Sequence, residues 1–254
     1  MTKKPVYKIP ETWDHEAAMG LLSCPGCQEA LIGKMLCEVL EELDIAGSAI
    51  MVGGAGCNAG IYAGIQVDGT LIAHGRGCDQ ATGIKRLRPD AIVFAVFGDG
   101  DCAAIGVDSL IAAMNRADKF TVFMINNSEY ASTGGQIAPT TLVGQKTSTS
   151  PHGRNPETEG FPMHVAEMVA QFKGVAYSAR GALNTAANFR RTKKYMRTAF
   201  EKQMQGAGFG FVEIISACPT QWHLSPVECL DWIEKEMIPE FALGELKNID
   251  NVLI

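Results

Sequence analysis

The chain is 254 residues long, 46% hydrophobic and 20% charged, with a formal net charge of −6. That composition supports a packed core and excludes a disordered chain, and the negative balance excludes a general nucleic-acid binder, which needs a basic surface against phosphate. The longest wholly apolar run, Ala91 to Phe97, has seven residues against the roughly 20 of a membrane span, and the first ten residues hold three lysines and no apolar stretch, so neither membrane anchor nor secretory leader is expected.

Residues 1–23 read as an arm leading into one domain, 24–254. From Gln28 to Leu43 the apolar Leu31, Met35, Leu36, Val39, Leu40 and Leu43 recur at helical spacing. Ser48 to Val52 is short, apolar and followed by glycines, which predicts a buried strand. Ala91 to Phe97 is the clearest strand and ends in Gly98-Asp99-Gly100-Asp101. A helix over Asp108–Arg116 and a third buried strand over Thr121–Ile125 follow, the latter ended by Asn126-Asn127. Residues 131–162 are rich in Gly, Thr, Ser and Pro and lack periodicity; so long a loop in a compact domain is usually functional. Helix is predicted again over Met163–Phe172, strand over Val175–Ala179, a long helix over Asn184–Gln205, a last strand over Phe211–Ser216 and a C-terminal helix over Val227–Met237. Strand, polar turn, helix, strand is a βαβ signature, and continuous apolar strands imply a parallel sheet covered on both faces: an α/β, doubly wound fold.

There are eight cysteines. In the reducing cytoplasm expected for this chain they are not structural disulfides. Cys24-Pro25-Gly26-Cys27 precedes the first periodic helix. It suits a redox pair, since a helix N-terminus depresses thiol pKa, or two metal ligands. A closed site needs more ligands. Cys57 lies in a glycine-rich turn after one strand and Cys218 at the end of another, before Pro219, so both fall on the carboxyl edge of a parallel sheet. Four thiolates in tetrahedral array mean zinc or iron–sulfur, and spacing does not choose between them. Cys37, Cys78, Cys102 and Cys229 read as inert buried thiols.

Two glycine turns, Gly54-Ala55-Gly56-Cys57-Asn58-Ala59 and Gly98-Asp99-Gly100-Asp101-Cys102-Ala103, match a dinucleotide pattern. Neither has the acidic residue that a nicotinamide oxidoreductase carries about 20 positions on. A carboxylate in the turn repels a pyrophosphate unless a cation lies between them. Asp99 and the neighbouring Asn126-Asn127 offer oxygen ligands for Mg²⁺, with a diphosphate completing the shell and meeting N–H groups at the helix start. The plain alternative is that Asp99 caps the next helix and the asparagines make a turn.

Gly98-Asp99-Gly100, followed after 25 residues by Asn126-Asn127, resembles the thiamine pyrophosphate motif. Together with Cys24-Pro25-Gly26-Cys27, Gly56-Cys57, His74-Gly75-Arg76, Ala81-Thr82-Gly83-Ile84-Lys85, Thr133-Gly134-Gly135-Gln136, Ala138-Pro139-Thr140 and Cys218-Pro219-Thr220, it makes residues 24–220 similar to the thiamine-binding beta subunit of the 2-oxoacid:ferredoxin oxidoreductases. The tail, in Pro226-Val227-Glu228, Trp232 and Met237-Ile238-Pro239, resembles the 2-oxoisovalerate branch. The resemblance implies a pyrophosphate-type thiamine domain with an N-terminal arm and a C-terminal helix. It implies a 4Fe–4S cluster on Cys24, Cys27, Cys57 and Cys218, and Mg²⁺ on Asp99, the Asn127 side chain and the Glu129 carbonyl. It sets thiamine pyrophosphate against Ala55, Gly56, Cys57, Asn58, Gly98, Gly100, Asp101, Ala131 and Ser132, with His74 near thiazolium and substrate. The alternative for His74 is a structural histidine in a glycine turn.

The implied activity is oxidative decarboxylation of a 2-oxoacid to an acyl-CoA, with electrons passing through the cluster to ferredoxin. The implied partners are an alpha-type subunit, whose pyrimidine-binding domain supplies the glutamate this chain lacks, and a gamma-type subunit. Asn58-Ala59-Gly60 offers no basic side chain for a second carboxylate, which disfavours 2-oxoglutarate and favours 2-oxoisovalerate or another branched or aromatic 2-oxoacid. Still open are a pyruvate or 2-oxoglutarate enzyme, a cluster-free thiamine-dependent decarboxylase subunit, and a zinc-stabilised binding module. The basic run Arg190-Arg191-Thr192-Lys193-Lys194 with Arg197 is a solvated helix face or a docking patch for an acidic ferredoxin or subunit.

Overall fold

In the computed structural model, which describes residues 9–21 and 24–253, the chain enters through helices α1 (His15–Leu21) and α2 (Glu29–Glu42). Residues 1–8, 22 and 23 of the N-terminal arm lie outside the described residues. Next come β1 (Ala49–Gly54), α3 (Ala59–Gly64), β2 (Asp68–Ile72), α4 (Gly77–Leu87), β3 (Ile92–Gly98), α5 (Val107–Asn115) and β4 (Thr121–Asn126). The long predicted loop holds β6 (Gln136–Ile137), which pairs with β5 (Glu129–Tyr130) just before it, and one turn of helix, α6 (Pro156–Glu159). After α7 (Val165–Ala170), β7 (Val175–Ala182), α8 (Ala186–Met204) and β8 (Phe209–Ile215) complete the centre of the sheet. The chain closes with α9 (Pro219–Trp222), α10 (Pro226–Trp232), α11 (Ile238–Glu240) and β9 (Gly244–Asn248).

Seven strands form one sheet in the order β2-β1-β3-β4-β8-β7-β9. Every neighbouring pair is parallel except β7 with β9. The chain leaves β1 for β2 on one side and returns to β3 on the other. That reversal opens a crevice at the carboxyl ends of β1 and β3, where doubly wound sheets hold their ligands.

Successive strand residues feed opposite faces. Phe94 and Val96 pack with Met35 and Leu36 of α2 and Met196 and Phe200 of α8. Val93, Ala95 and Phe97 pack with Leu110 of α5 and Val165 of α7. Both faces are covered, so β3 and β4 are apolar at nearly every position rather than at every second one. In α2 the buried stripe is Ile32, Met35, Leu36, Val39 and Leu40, while Leu31 stays exposed at its margin.

Three features differ from the sequence reading. Phe211–Ser216 is not the last strand: β9 follows and pairs with the edge of β7. Its sequence, Gly-Glu-Leu-Lys-Asn, is polar because an edge strand is half wet. The opposite edge strand, β2, is likewise mostly exposed, with no apolar run to betray it. The C-terminal helix is interrupted after Trp232 by a wide π-type turn, Ile233–Met237, before α11.

The basic run is divided. Lys193 bonds Glu38 and Glu42 of α2 at 2.6 and 2.7 Å, and Arg197 reaches Glu42 and Glu201, so two of its five basic side chains clamp α8 to α2. Arg190, Arg191 and Lys194 are exposed. No helix among the described residues is long and apolar enough to cross a membrane.

Candidate active site

A cavity of about 450 Å³, open to solvent, lies at the carboxyl ends of β1, β3 and β4. It gathers Ala55, Gly56, Cys57 and Asn58 from the turn after β1, and Gly98, Asp99, Gly100 and Asp101 from the end of β3. Asn127, Glu129, Ala131 and Ser132 come from the segment after β4, and His74 from the β2–α4 turn. Glu29 and Tyr130, which sequence reasoning missed, also line it, with Thr133 of the Thr133-Gly134-Gly135-Gln136 segment.

Asp99 is 1% exposed. Its Oδ1 accepts the Gly100 N–H at 2.8 Å and its Oδ2 accepts the Thr140 hydroxyl. Burial still pushes the carboxyl up to about 7. Gly100, not Asp99, occupies the cap position of the following wide turn, Asp101–Ile105. Two further buried carboxyls feel Asp99: burial first, and then its charge, pushes Glu29 and Glu129 up to about 8. Glu129 Oε2 is buried with no hydrogen-bond partner. Such mutual repulsion is what a cation relieves. Among the described residues no three His, Cys, Asp or Glu side chains converge to hold a metal ion on their own. The oxygen set fits Mg²⁺, which takes one or two carboxylates and completes its shell with phosphate and water.

Glycine is required at position 100. A Cβ there would stand 2.2 Å from the Tyr130 ring, whose hydroxyl donates to the Gly100 carbonyl at 3.2 Å. The turn after β4 is held as firmly. Ser128 is left-handed at φ +60°, its N–H bonded to Asn126 Oδ1 at 3.0 Å and its carbonyl accepting the Thr141 hydroxyl at 2.6 Å. Asn127 Oδ1 accepts the Glu129 N–H at 3.2 Å, with a lone pair left for a cation.

Asn58 faces the sheet as well as the cavity. Its amide nitrogen donates to the carbonyls of Gly54 and Val96 at 3.0 and 2.9 Å, tying β1 to β3 across the crevice. Asp101, read as a cofactor contact, is engaged by protein groups. It accepts the Gly75 N–H at 2.6 Å and lies 3.1 Å from His74 Nδ1. His74 is therefore oriented by a buried carboxylate while its ring stands at the cavity.

The four thiols fall in one neighbourhood at the carboxyl edge of the sheet. Charge on Cys57 and on Cys218 acts on Cys27, that on Cys24 acts on Cys57, and that on Cys57 acts on Cys218. Burial foremost pushes Cys57 and Cys218 up to about 12, and Cys27 higher still. The Cys24–Cys27 turn closes through Cys27 N–H to Cys24 O at 3.0 Å. Its Gly26, at φ +81°, leaves no room for a Cβ, which would meet Pro226 at 2.3 Å. Four thiolates suit a tetrahedral zinc and an iron–sulfur cluster alike. Cys37, Cys78, Cys102 and Cys229 are buried elsewhere in the core.

Thr140 was legible only within its Ala-Pro-Thr segment. Glu29, two residues past Cys27 in the first turn of α2, and Tyr130, beside Glu129, carried no signal beyond adjacency.

Residues 54–214 match the family model for the thiamine pyrophosphate enzyme C-terminal TPP binding domain. The chain is 36% identical over 254 residues to ketoisovalerate oxidoreductase subunit VorA of Methanothermobacter thermautotrophicus, an alignment covering 98% of this chain and 53% of that protein. It thus spans about half the length of that relative. It is 36% identical over 200 residues to 2-oxoglutarate synthase subunit KorB of Methanocaldococcus jannaschii, covering 78% of this chain and 70% of that one. The solved structure of 2-oxoglutarate:ferredoxin oxidoreductase from Magnetococcus marinus shares the fold, with a TM-score of 0.75 over 97% of this chain and 87% of that chain at 22% identity.

Proposed function

We propose, from the premise that the chain belongs to the family of thiamine pyrophosphate-binding 2-oxoacid:ferredoxin oxidoreductase subunits, that it is the beta-type subunit of a cytoplasmic enzyme of this kind. With alpha-type and gamma-type partners it decarboxylates a 2-oxoacid oxidatively, passes the acyl group to coenzyme A and delivers electrons to ferredoxin. One observation carries the reading. Cys57 belongs both to the wall of the cavity that contains Asp99 and to the group of four thiols.

When bound, thiamine pyrophosphate supplies an electron sink and a 4Fe–4S cluster a one-electron relay. Asp99, the Asn127 side chain and the Glu129 carbonyl would hold Mg²⁺ and through it the diphosphate. Cys24, Cys27, Cys57 and Cys218 would hold the cluster. Asp101 fixes the His74 ring through Nδ1, which leaves Nε2 to hold or move a proton at the substrate. Tyr130 and Gly56 line the cavity.

A branched 2-oxoacid such as 2-oxoisovalerate is the favoured substrate. The cavity has no lysine or arginine among its described lining residues, so it offers a second substrate carboxylate no cationic partner. The match to the ketoisovalerate subunit along 98% of this chain supports the same choice.

The test is anaerobic purification of the native complex, with iron, acid-labile sulfide, zinc and thiamine analysis and a screen of 2-oxoacids for coenzyme A-dependent ferredoxin reduction. Iron and sulfide in equal amounts with thiamine, and fastest turnover of a branched substrate, are expected. Zinc without iron would overturn the reading in favour of a binding module, and thiamine without iron in favour of a cluster-free decarboxylase. The chain alone, with cofactors supplied, is expected to be inactive.

A further inference from the structure

Two residues just past Cys218 face both halves of the site. The Trp222 N–H donates to the Cys218 carbonyl at 3.0 Å, which ties the start of this segment to Cys218. Their side chains point to the other half. Gln221 Nε2 donates to the Ala131 carbonyl at 3.0 Å, and Trp222 Nε1 donates to the Asn127 carbonyl at 3.1 Å. The indole is itself fixed against Trp232, ring centroids 4.4 Å apart. The Asn127 carbonyl sits immediately before the left-handed Ser128, so a donor on it orients the peptide that leads into that turn.

We propose that Gln221 and Trp222 couple the two cofactor positions, so that filling the four-thiol site tightens binding of magnesium diphosphate at Asp99 and Asn127. This rests on the reading of the site given above. A cluster fixes the segment 218–222, and that segment fixes the Asn127 and Ala131 carbonyls through its two side-chain donors. The second group then finds its turn already ordered, and by linkage the effect is reciprocal.

The experiment uses the native complex, purified anaerobically. The Kd for thiamine pyrophosphate with Mg²⁺ is measured by calorimetry with the cluster loaded and after anaerobic iron chelation. In the wild type, cluster removal is expected to weaken binding about tenfold, within the usual span of such couplings. In Trp222→Phe/Gln221→Met, which keeps an aromatic stack and side-chain length, that ratio should fall below about twofold, with the loaded form binding as weakly as the stripped wild type. Where the double variant loses iron, Trp222→Phe alone reads the same ratio. A merely structural role would weaken both states equally and preserve the ratio, which overturns the proposal. A wild type that binds iron and cofactor with no difference between its two states overturns the coupling and leaves the reading of the site intact. One that binds neither overturns both.

Discussion

The side-chain amide of Asn126 donates to Glu213 Oε1 at 2.7 Å, and both residues are wholly buried. The other oxygen of Glu213 lies 2.9 Å from Arg180 Nε, near enough for an ion pair though out of line for a hydrogen bond. Arg180, also fully buried, grips Glu167 with both terminal nitrogens. On its far side Asn126 braces Ser128, whose left-handed backbone costs a non-glycine residue about 1–3 kcal/mol. A buried charge network thus underpins the turn that carries Asn127 and Glu129. Arg180→Met should leave the Glu213 carboxylate buried without its countercharge and lower the unfolding free energy in urea by about 3–5 kcal/mol. Adding Glu213→Gln should recover at least half of that loss. A double variant as unstable as the single one would show that packing, not charge, is responsible.

The outer end of this network sets an acid limit. Burial pushes the Glu167 carboxyl up, but its hydrogen bonds and ion pair with Arg180 outweigh that and hold it below its usual 4.5. A lowered folded value means that the unfolded chain binds more protons in the window beneath 4.5. The pair therefore stabilises the protein above that pH, and its contribution is lost as pH falls through the folded value. Glu167→Gln should flatten the acid side of a thermal-midpoint profile. An acid limb as steep as that of the wild type would count against the pair.

The centre of the fold was legible and its edges were not, for a physical reason. β3 and β4 are covered on both faces and so are apolar throughout, and each ends abruptly in polar residues that mark the carboxyl edge. β2 and β9 sit at the rims, half wet, and look like loop. Strand order is not written locally either. That β8 lies between β4 and β7, which brings Cys218 toward Cys57, follows from the assembled sheet rather than from any spacing. Single-residue contributions such as Thr140 on Asp99 depend on a loop that returns 41 residues later. Asp99 itself could be found because its flanking glycines and the downstream asparagine pair are tied to one chemistry.

Asp99→Asn separates the metal role from a structural one. The amide nearly preserves shape but cannot supply a carboxylate to a cation. Magnesium-dependent thiamine pyrophosphate binding should weaken by about 100-fold or more, roughly 2.7 kcal/mol. The metal-free variant should nevertheless melt no lower than the metal-free wild type at mildly alkaline pH. There the wild-type carboxyl, pushed up to about 7 by burial, is charged and unrelieved. Adding Mg²⁺ and cofactor should raise the wild-type midpoint and leave that of the variant where it was. A variant that melts far below the wild type without metal would make Asp99 a structural anchor instead.

The eight cysteines divide into two groups that substitution can distinguish. Cys24, Cys27, Cys57 and Cys218 fall in one neighbourhood at the carboxyl edge of the sheet. The other four serve packing: Cys37 donates to the Thr12 carbonyl at 3.2 Å, Cys78 and Cys102 lie beneath β3, and Cys229 packs with Ile233 and Met237. Replacing any of the first four by serine should remove most of the iron and the visible absorption of the cluster from anaerobically purified protein, because a neutral hydroxyl is a poor substitute for a thiolate at iron. Cys37→Ala, Cys78→Ala, Cys102→Ala and Cys229→Ala should each leave iron per chain unchanged and cost about 0.5–3 kcal/mol of stability, the usual range for a core truncation. Full iron in Cys218→Ser would sever the thiol group from the cofactor cavity. Loss of iron in Cys78→Ala, without loss of fold, would move the cluster to the wrong side of the sheet.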